Sequence, residues 1–308
     1  MATFTRSTIK IPSRTAGWNI DAWQYLPWSE SESESAKKHA VIIMAHGFTL
    51  PKTMSLEQYA TTFAAVGYAV LLFDYRRWGD SDGIPRQLLI LNEQLDDYRT
   101  VIEHARQSEL FDPTKIILWG TSFSGGHIMQ LASEDHTIAA VLGQCPFSDG
   151  LASVSSLSTL TLLKVMPYAI WDRLKLALGL RPIYVPISAP HGKFAVLTTY
   201  GTDRGLRKLQ TNEGDYTNKV QASCIFQFPL YRPGKRAAKI ACPLFFSIPE
   251  RDNLCPPKGA LDAVKAAPKG EFVRIKGVLG HFDSYPAFDE HEIGLKAQVD
   301  FLLRVIPV

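Results

Sequence analysis

Short apolar runs that alternate with stretches of helical periodicity constrain this chain more than any other feature. Residues 40–45 (AVIIMA), 68–73 (YAVLLF), 115–119 (KIILW), 138–144 (IAAVLGQ), 243–248 (PLFFSI) and 271–276 read as strands. Residues 55–66, 88–106, 256–267 and 288–305 carry apolar residues at helical spacing, and a further helix begins near the glycines at 120–126 and runs through 127–133. Most of the strand runs are continuously apolar, which suits strands covered on both faces. The pattern predicts an α/β architecture: a mostly parallel central sheet with helices on both faces. With 308 residues, 46% of them hydrophobic, the chain has ample material for such a core.

Other segments stand outside the alternation. Residues 3–11 and 18–25 read as a strand hairpin ahead of it. Residues 29–38 (SESESESAKK) are polar and of low complexity, and predict an exposed loop. Residues 147–238 separate two strands by far more than an ordinary connection. They contain helical pieces at 151–165 and 171–178, several prolines and an irregular stretch through Tyr231. The expected organisation is a core of residues 1–146 and 239–308, with residues 147–238 inserted as a cap, or lid, that roofs a substrate pocket.

Composition excludes some functions. Thirty-three basic residues against 30 acidic give a net charge of +3, with no basic tract, so no nucleic-acid partner is expected. Cysteines 145, 224, 242 and 255 form no C-x-x-C pair, and their spacing matches neither a zinc site nor a secreted disulfide framework. Free thiols in a reducing compartment are the expectation. The opening MATFTRSTIKIPS lacks the apolar core of a secretory signal, and no stretch approaches the ~18 apolar residues of a membrane span. The final RVIPV is no peroxisomal or ER-retention address. These features predict a cytoplasmic enzyme with no metal and no cofactor.

The chemistry centres on residues 119–126, WGTSFSGG, between the KIILW strand and the helix that follows. A serine on a sharp strand-to-helix turn stands exposed above the sheet, and the helix N-terminus aims amide donors at a developing oxyanion. The usual G-x-S-x-G form is altered here. In one frame Ser122 is the nucleophile and Ser124 replaces the second glycine; in the other Ser124 is the nucleophile and Ser122 replaces the first. Ser122 is preferred, because Gly120 directly follows the strand and serine is small enough for the second position. A glycine-rich turn with a helix-capping serine is the non-catalytic alternative.

In this architecture an acid and then a histidine follow the serine. His281 lies in the Gly-His loop between the last strand and the closing helix and is the candidate base. Asp252 follows the PLFFSI strand after a short turn and is the candidate acid, with Glu250 as the fallback; Arg251 is expected to face solvent or pair with Glu250. The backbone N–H groups of Phe123 and Phe48 are the candidate oxyanion donors. His46 is expected to be structural. Asp74 and Arg76 are expected to hold backbone or each other, and Asp283 to fix the His281 loop. Cys255 is expected to pack. A ligand role for Arg77 or Trp78 is the less favoured reading of their loop.

With HGF at 46–48, DYRRWGDSDG and PRQLL within 74–89, GTSFSGGH at 120–127, PERD at 249–252 and GHFDSY at 280–285, the chain resembles proteins of the α/β-hydrolase fold from residue 40 to the closing helix, the cap excepted. The set is similar to the fungal polyketide transferases and thiohydrolases, which release, hydrolyse or transfer an acyl chain beside a polyketide synthase. The resemblance implies a triad of Ser122, Asp252 and His281, and a serine esterase, thioesterase or acyltransferase. It implies a small-molecule acyl substrate, free or presented by a polyketide synthase carrier protein. Amidase, C–C hydrolase or lyase chemistry on the same scaffold, and a non-catalytic binding module, are the alternatives. The sequence leaves the oligomeric state open, a homodimer included.

Overall fold

The computed structural model describes residues 4–28, 37–212, 214 and 216–308. Most of the expected polar loop, residues 29–36, lies outside the described residues. The opening hairpin is β1 (Phe4–Pro12) and β2 (Asn19–Pro27), paired antiparallel. The strands of the alternation follow as β3 (His39–Ala45), β4 (Ala69–Phe73), β5 (Phe111–Thr121) and β6 (Ala140–Gln144). Tyr184–Val185 (β7) and Val220–Gln221 (β8) form a separate two-stranded pair, and Leu244–Pro249 (β9) and Gly270–Ile275 (β10) complete the main sheet. Its order is β1-β2-β4-β3-β5-β6-β9-β10. Only the first two pairings are antiparallel; from β4 to β10 all are parallel. This is the mostly parallel sheet of the α/β-hydrolase fold.

The core follows from the apolar runs. Every residue of β4 and β6 is buried, as is nearly all of β3. Helices α1 (Glu57–Ala65), α2 (Leu91–Gln107) and α3 (Phe123–Ala132) alternate with these strands. Strand β5 starts earlier than the KIILW run, at Phe111. The Asp112-Pro113-Thr114 stretch lies within it as an irregularity between the His39–Phe111 and Val41–Ile116 pairs. There Asp112 Oδ1 accepts from the Thr114 N–H at 2.9 Å.

Between β6 and β9 lie α4 (Gly150–Ser155), α5 (Thr159–Ala177) and α6 (Thr202–Leu209). The helices differ from the expected 151–165 and 171–178. The break falls at 156–158, where Ser158 Oγ caps the Thr161 N–H at 3.0 Å, and α5 then runs without interruption through Pro167. Pro167 lacks the N–H that would bond the Leu163 carbonyl, and Leu163 is exposed, so solvent reaches that side of the helix. A 3-10 turn at Pro233–Lys239 leads back to the core against α3 and against α7 (Pro257–Ala266), and α8 (His291–Val305) closes the chain.

Candidate active site

The site lies at the C-terminal ends of the parallel strands, where the loops after β3, β5, β6, β9 and β10 meet. Ser122 stands between β5 and α3 with φ 54° and ψ −119°, a left-handed conformation that strains any residue with a Cβ. The turn is fixed on both sides: Ser122 N–H donates to the Gln144 carbonyl (3.0 Å) and the Phe147 N–H to the Ser122 carbonyl (2.8 Å). Gly120 is required by close approach, since a Cβ there would lie 2.5 Å from the Ser124 carbonyl oxygen. Phe123 begins α3, so its N–H belongs to the first turn, where helical donors lack intrahelical partners.

Ser124 is wholly buried. Its Oγ accepts from the Thr121 N–H at 2.8 Å and faces the carbonyls of Ala45 (2.8 Å) and Thr121 (2.9 Å). It ties the turn to β3. The substitution of serine for the second glycine is thus accommodated by an internal hydrogen bond.

The acid and the imidazole come from neighbouring strand ends. His281 Nε2 lies 3.0 Å from Ser122 Oγ, and His281 Nδ1 lies 2.7 Å from Asp252 Oδ2. Asp252 Oδ1 accepts from the backbone N–H groups of Leu254 (2.9 Å) and Cys255 (2.7 Å), which hold the carboxylate in place. Burial by itself pushes the His281 imidazole down; the Asp252 carboxylate reverses this and raises it well above its ordinary value of 6.5. Asp283 fixes the loop by accepting from the N–H groups of Leu279 and Gly280. Glu250 lies 3.7 Å from Arg274, away from His281, and Arg251 faces solvent.

The loop after β3 presses on the serine. A Cβ on Gly47 would lie 2.7 Å from Ser122 Cβ and 2.9 Å from the Thr121 carbonyl oxygen. His46 holds this loop: its Nδ1 accepts from the Gly47 N–H at 2.8 Å, so Nε2 carries the proton and donates to the Met54 carbonyl at 2.9 Å. Burial pushes His46 down to about 3, so it stays neutral.

Sequence reasoning missed Lys52. Its side chain is completely buried, with Nζ 2.7 Å from Asp21, 2.7 Å from Asp74 and 2.9 Å from Asp80, while its N–H donates to Asp74 at 2.6 Å. It pins the segment after Phe48 to the loop after β4. The available signal was a lone lysine amid the apolar Leu50-Pro51 and Met54, with an aspartate-rich block downstream. Asp74 therefore holds Lys52 and backbone; Arg76 pairs with Asp97 at 2.6 Å, and the two do not pair with each other. Arg77 pairs with Glu93 at 2.7 Å, and the buried Trp78 donates to the Leu88 carbonyl, so both are structural.

A cavity of about 50 Å³ opens at Ser122, lined by Phe48, Phe123, Phe147, Val154, Leu157, Leu197, Phe228, Leu254 and Cys255 among others, and it is almost wholly apolar. Of the apolar residues at 157–171, only Leu157 lines it. Leu160, Leu163, Tyr168, Ile170 and Trp171 are exposed instead. All four cysteines are unpaired and buried. Cys255 lies beside His281, but burial pushes its thiol up to about 11, which keeps it neutral.

Cys145, Asp252 and His281 bring potential metal-ligating atoms within 4.8 Å of one another, and Asp21, Asp74 and Asp80 do likewise. In the first set Asp252 and both imidazole nitrogens are engaged in hydrogen bonds, and in the second the Lys52 ammonium sits among the carboxylates. Among the described residues no helix is long and apolar enough to cross a membrane.

Comparison with known proteins agrees with this architecture. Residues 36–279 match the family model described as Serine aminopeptidase, S33. The chain is 37% identical over 268 residues to the quorum-quenching protein AidA of Acinetobacter baumannii, covering 87% of each. It is 26% identical to the polyketide transferase ATR5 of Stachybotrys chlorohalonatus, covering 99% of each. The crystal structure of the α/β hydrolase GrgF from Penicillium sp. superposes with a TM-score of 0.81 at 23% identity, over 99% of this chain and all of that one.

Proposed function

This chain belongs to the Serine aminopeptidase, S33, family of α/β-hydrolase enzymes, and from that premise we propose that it cleaves an ester or thioester through an acyl-enzyme on Ser122. The observation that carries this reading is the hydrogen-bonded series Asp252–His281–Ser122, with separations of 2.7 and 3.0 Å. His281 Nε2 takes the Ser122 proton as Oγ attacks the carbonyl carbon, and Asp252 steadies the imidazolium through Nδ1–H. The N–H groups of Phe123 and Phe48 receive the developing oxyanion. His281 then returns the proton to the leaving alcohol or thiol, and water, activated by the same imidazole, releases the acid.

The substrate class follows from the lining of the cavity. Its apolar wall favours an apolar acyl group, and its narrowness favours a short or slender one. The relative named a polyketide transferase supports a polyketide acyl chain, with an alcohol or amine acceptor replacing water as the second reading. Residues 147–238 act as the cap, since Val154, Leu157, Leu197 and Phe228 supply one wall of the cavity.

A fluorophosphonate probe tests the reading. Wild-type protein and the Ser124→Ala variant should be labelled once, and Ser122→Ala not at all. A series of p-nitrophenyl esters and acyl thioesters should then show turnover that falls with chain length. Labelling retained in Ser122→Ala would overturn the assignment of the nucleophile.

A further inference from the structure

Helix α5 buries one face and leaves the opposite one bare. Thr161, Val165, Ala169 and Asp172 face the protein, and Asp172 accepts from the N–H groups of Ile183 (2.6 Å) and Ser223 (2.9 Å). On the far side, Leu160 (51% exposed), Leu163 (67%), Ile170 (51%), Trp171 (59%) and Leu174 (51%) form one stripe that runs on to Leu178 (74%). Exposed Pro167 continues it. Leu160, Leu163, Pro167, Ile170 and Leu174 recur at alternating intervals of three and four, the spacing of a seam that receives another helix. Among the described residues no such helix of this chain lies against it.

We propose that this stripe is the contact surface for a second copy of the chain, with the two α5 helices packed antiparallel about a two-fold axis. Two features select a second copy. The first is area: these residues expose on the order of 700 Å², within the range of one partner's share of a standard stable interface and more than a lone protein usually leaves open as one patch. The second is the near-symmetry of the stripe about the level of residue 169. Leu160 and Leu178 lie nine residues to either side, and Pro167 and Trp171 two residues to either side, so a two-fold axis there sets Leu160 against the partner's Leu178 and Pro167 against the partner's Trp171. The stripe thus complements itself when reversed. Lys164 and Lys175 lie at its flank, off the seam.

Light scattering on the intact protein at micromolar concentration should give twice the 34.3 kDa chain mass. The Leu163→Glu, Leu174→Glu variant should halve that mass with an unchanged circular dichroism spectrum, since both substituted residues are exposed. A dimer that survives both substitutions overturns the proposal. So does a wild-type monomer, including one that sediments with phosphatidylcholine–phosphatidylglycerol vesicles, which would make the occupant a lipid surface.

The antiparallel arrangement has its own readout. The native thiols are all buried, so a short bismaleimide should cross-link the Ile170→Cys variant between chains. It should fail with Leu178→Cys, whose two copies stand about 27 Å apart along the axis at 1.5 Å per residue. Cross-linking at 178 and not at 170 would overturn the arrangement.

Discussion

Gly47 and Ser122 come from different strand ends, yet a single methyl group added to Gly47 would sit 2.7 Å from Ser122 Cβ. Carbon atoms do not approach so closely, so one backbone must yield. Gly47→Ala should therefore displace the Phe48 N–H or the Ser122 hydroxyl by several tenths of an ångström. A misplacement of about 1 Å can cost about 10²-fold, so this smaller shift should cost up to about 10²-fold in turnover. Steady-state hydrolysis of a p-nitrophenyl ester should show the loss in kcat, with KM little changed.

Ser124 and Ser122 should separate stability from chemistry. Removing the Ser124 hydroxyl leaves the Thr121 N–H buried without its acceptor, at a cost of about 1–3 kcal/mol. Ser124→Ala should unfold at lower denaturant yet keep most of its activity. Ser122→Ala should lose activity with a nearly unchanged midpoint, because among the described residues the Ser122 hydroxyl hydrogen-bonds to the His281 imidazole alone.

The pH dependence follows from the direction in which His281 is moved. In the proposed mechanism the imidazole must be neutral at Nε2 to take the serine proton, and Asp252 raises its pKa above 6.5. Activity should therefore rise with pH, and the acid limb of kcat/KM should have its midpoint above 6.5. Asp252→Asn removes the cause of the upward shift, so the limb should move to lower pH while kcat falls about 10⁴-fold. A wild-type midpoint below 6.5 would mean that burial outweighs the carboxylate.

Lys52 is the stability test. Burial disfavours its charge, and the carboxylates of Asp74, Asp21 and Asp80 hold it protonated nonetheless. Lys52→Met leaves buried Asp74 without its cation, while Asp21 keeps Lys10 at 3.0 Å, and should cost about 3–5 kcal/mol. Urea unfolding measures this directly, and the activity that remains in the folded fraction reports how far the Phe48 loop depends on the network.

The legible parts of this fold were those governed by local pattern. Continuous apolar runs such as AVLLF marked the buried strands, and the glycines around Ser122 marked the turn, because both depend on neighbours in sequence. What stayed hidden depended on distant partners. Lys52 meets carboxylates 31 residues before it and 22 and 28 residues after it. Arg76 takes Asp97 in preference to the nearer Asp74, and the direction of the apolar residues in α5 is set by which face Asp172 anchors. A leucine's spacing identifies its face, but only the packing partner decides whether that face turns inward.

The order of the sheet has one more consequence. Strands β6 and β9 are hydrogen-bonded neighbours, with Val141 opposite Leu244, although the whole pocket-forming segment intervenes between them. Because the two strands are parallel, the exit from β6 and the entry to β9 lie at opposite ends, but the segment's own ends meet where the Gly150 N–H donates to the Tyr231 carbonyl at 3.0 Å and the Gly234 N–H to the Ser148 carbonyl at 2.9 Å. An unrelated segment whose ends close at that junction can be spliced in while the register of every strand is kept. On the proposed reading, selection or an engineer can therefore exchange what Ser122 is offered without rebuilding the Asp252–His281–Ser122 series.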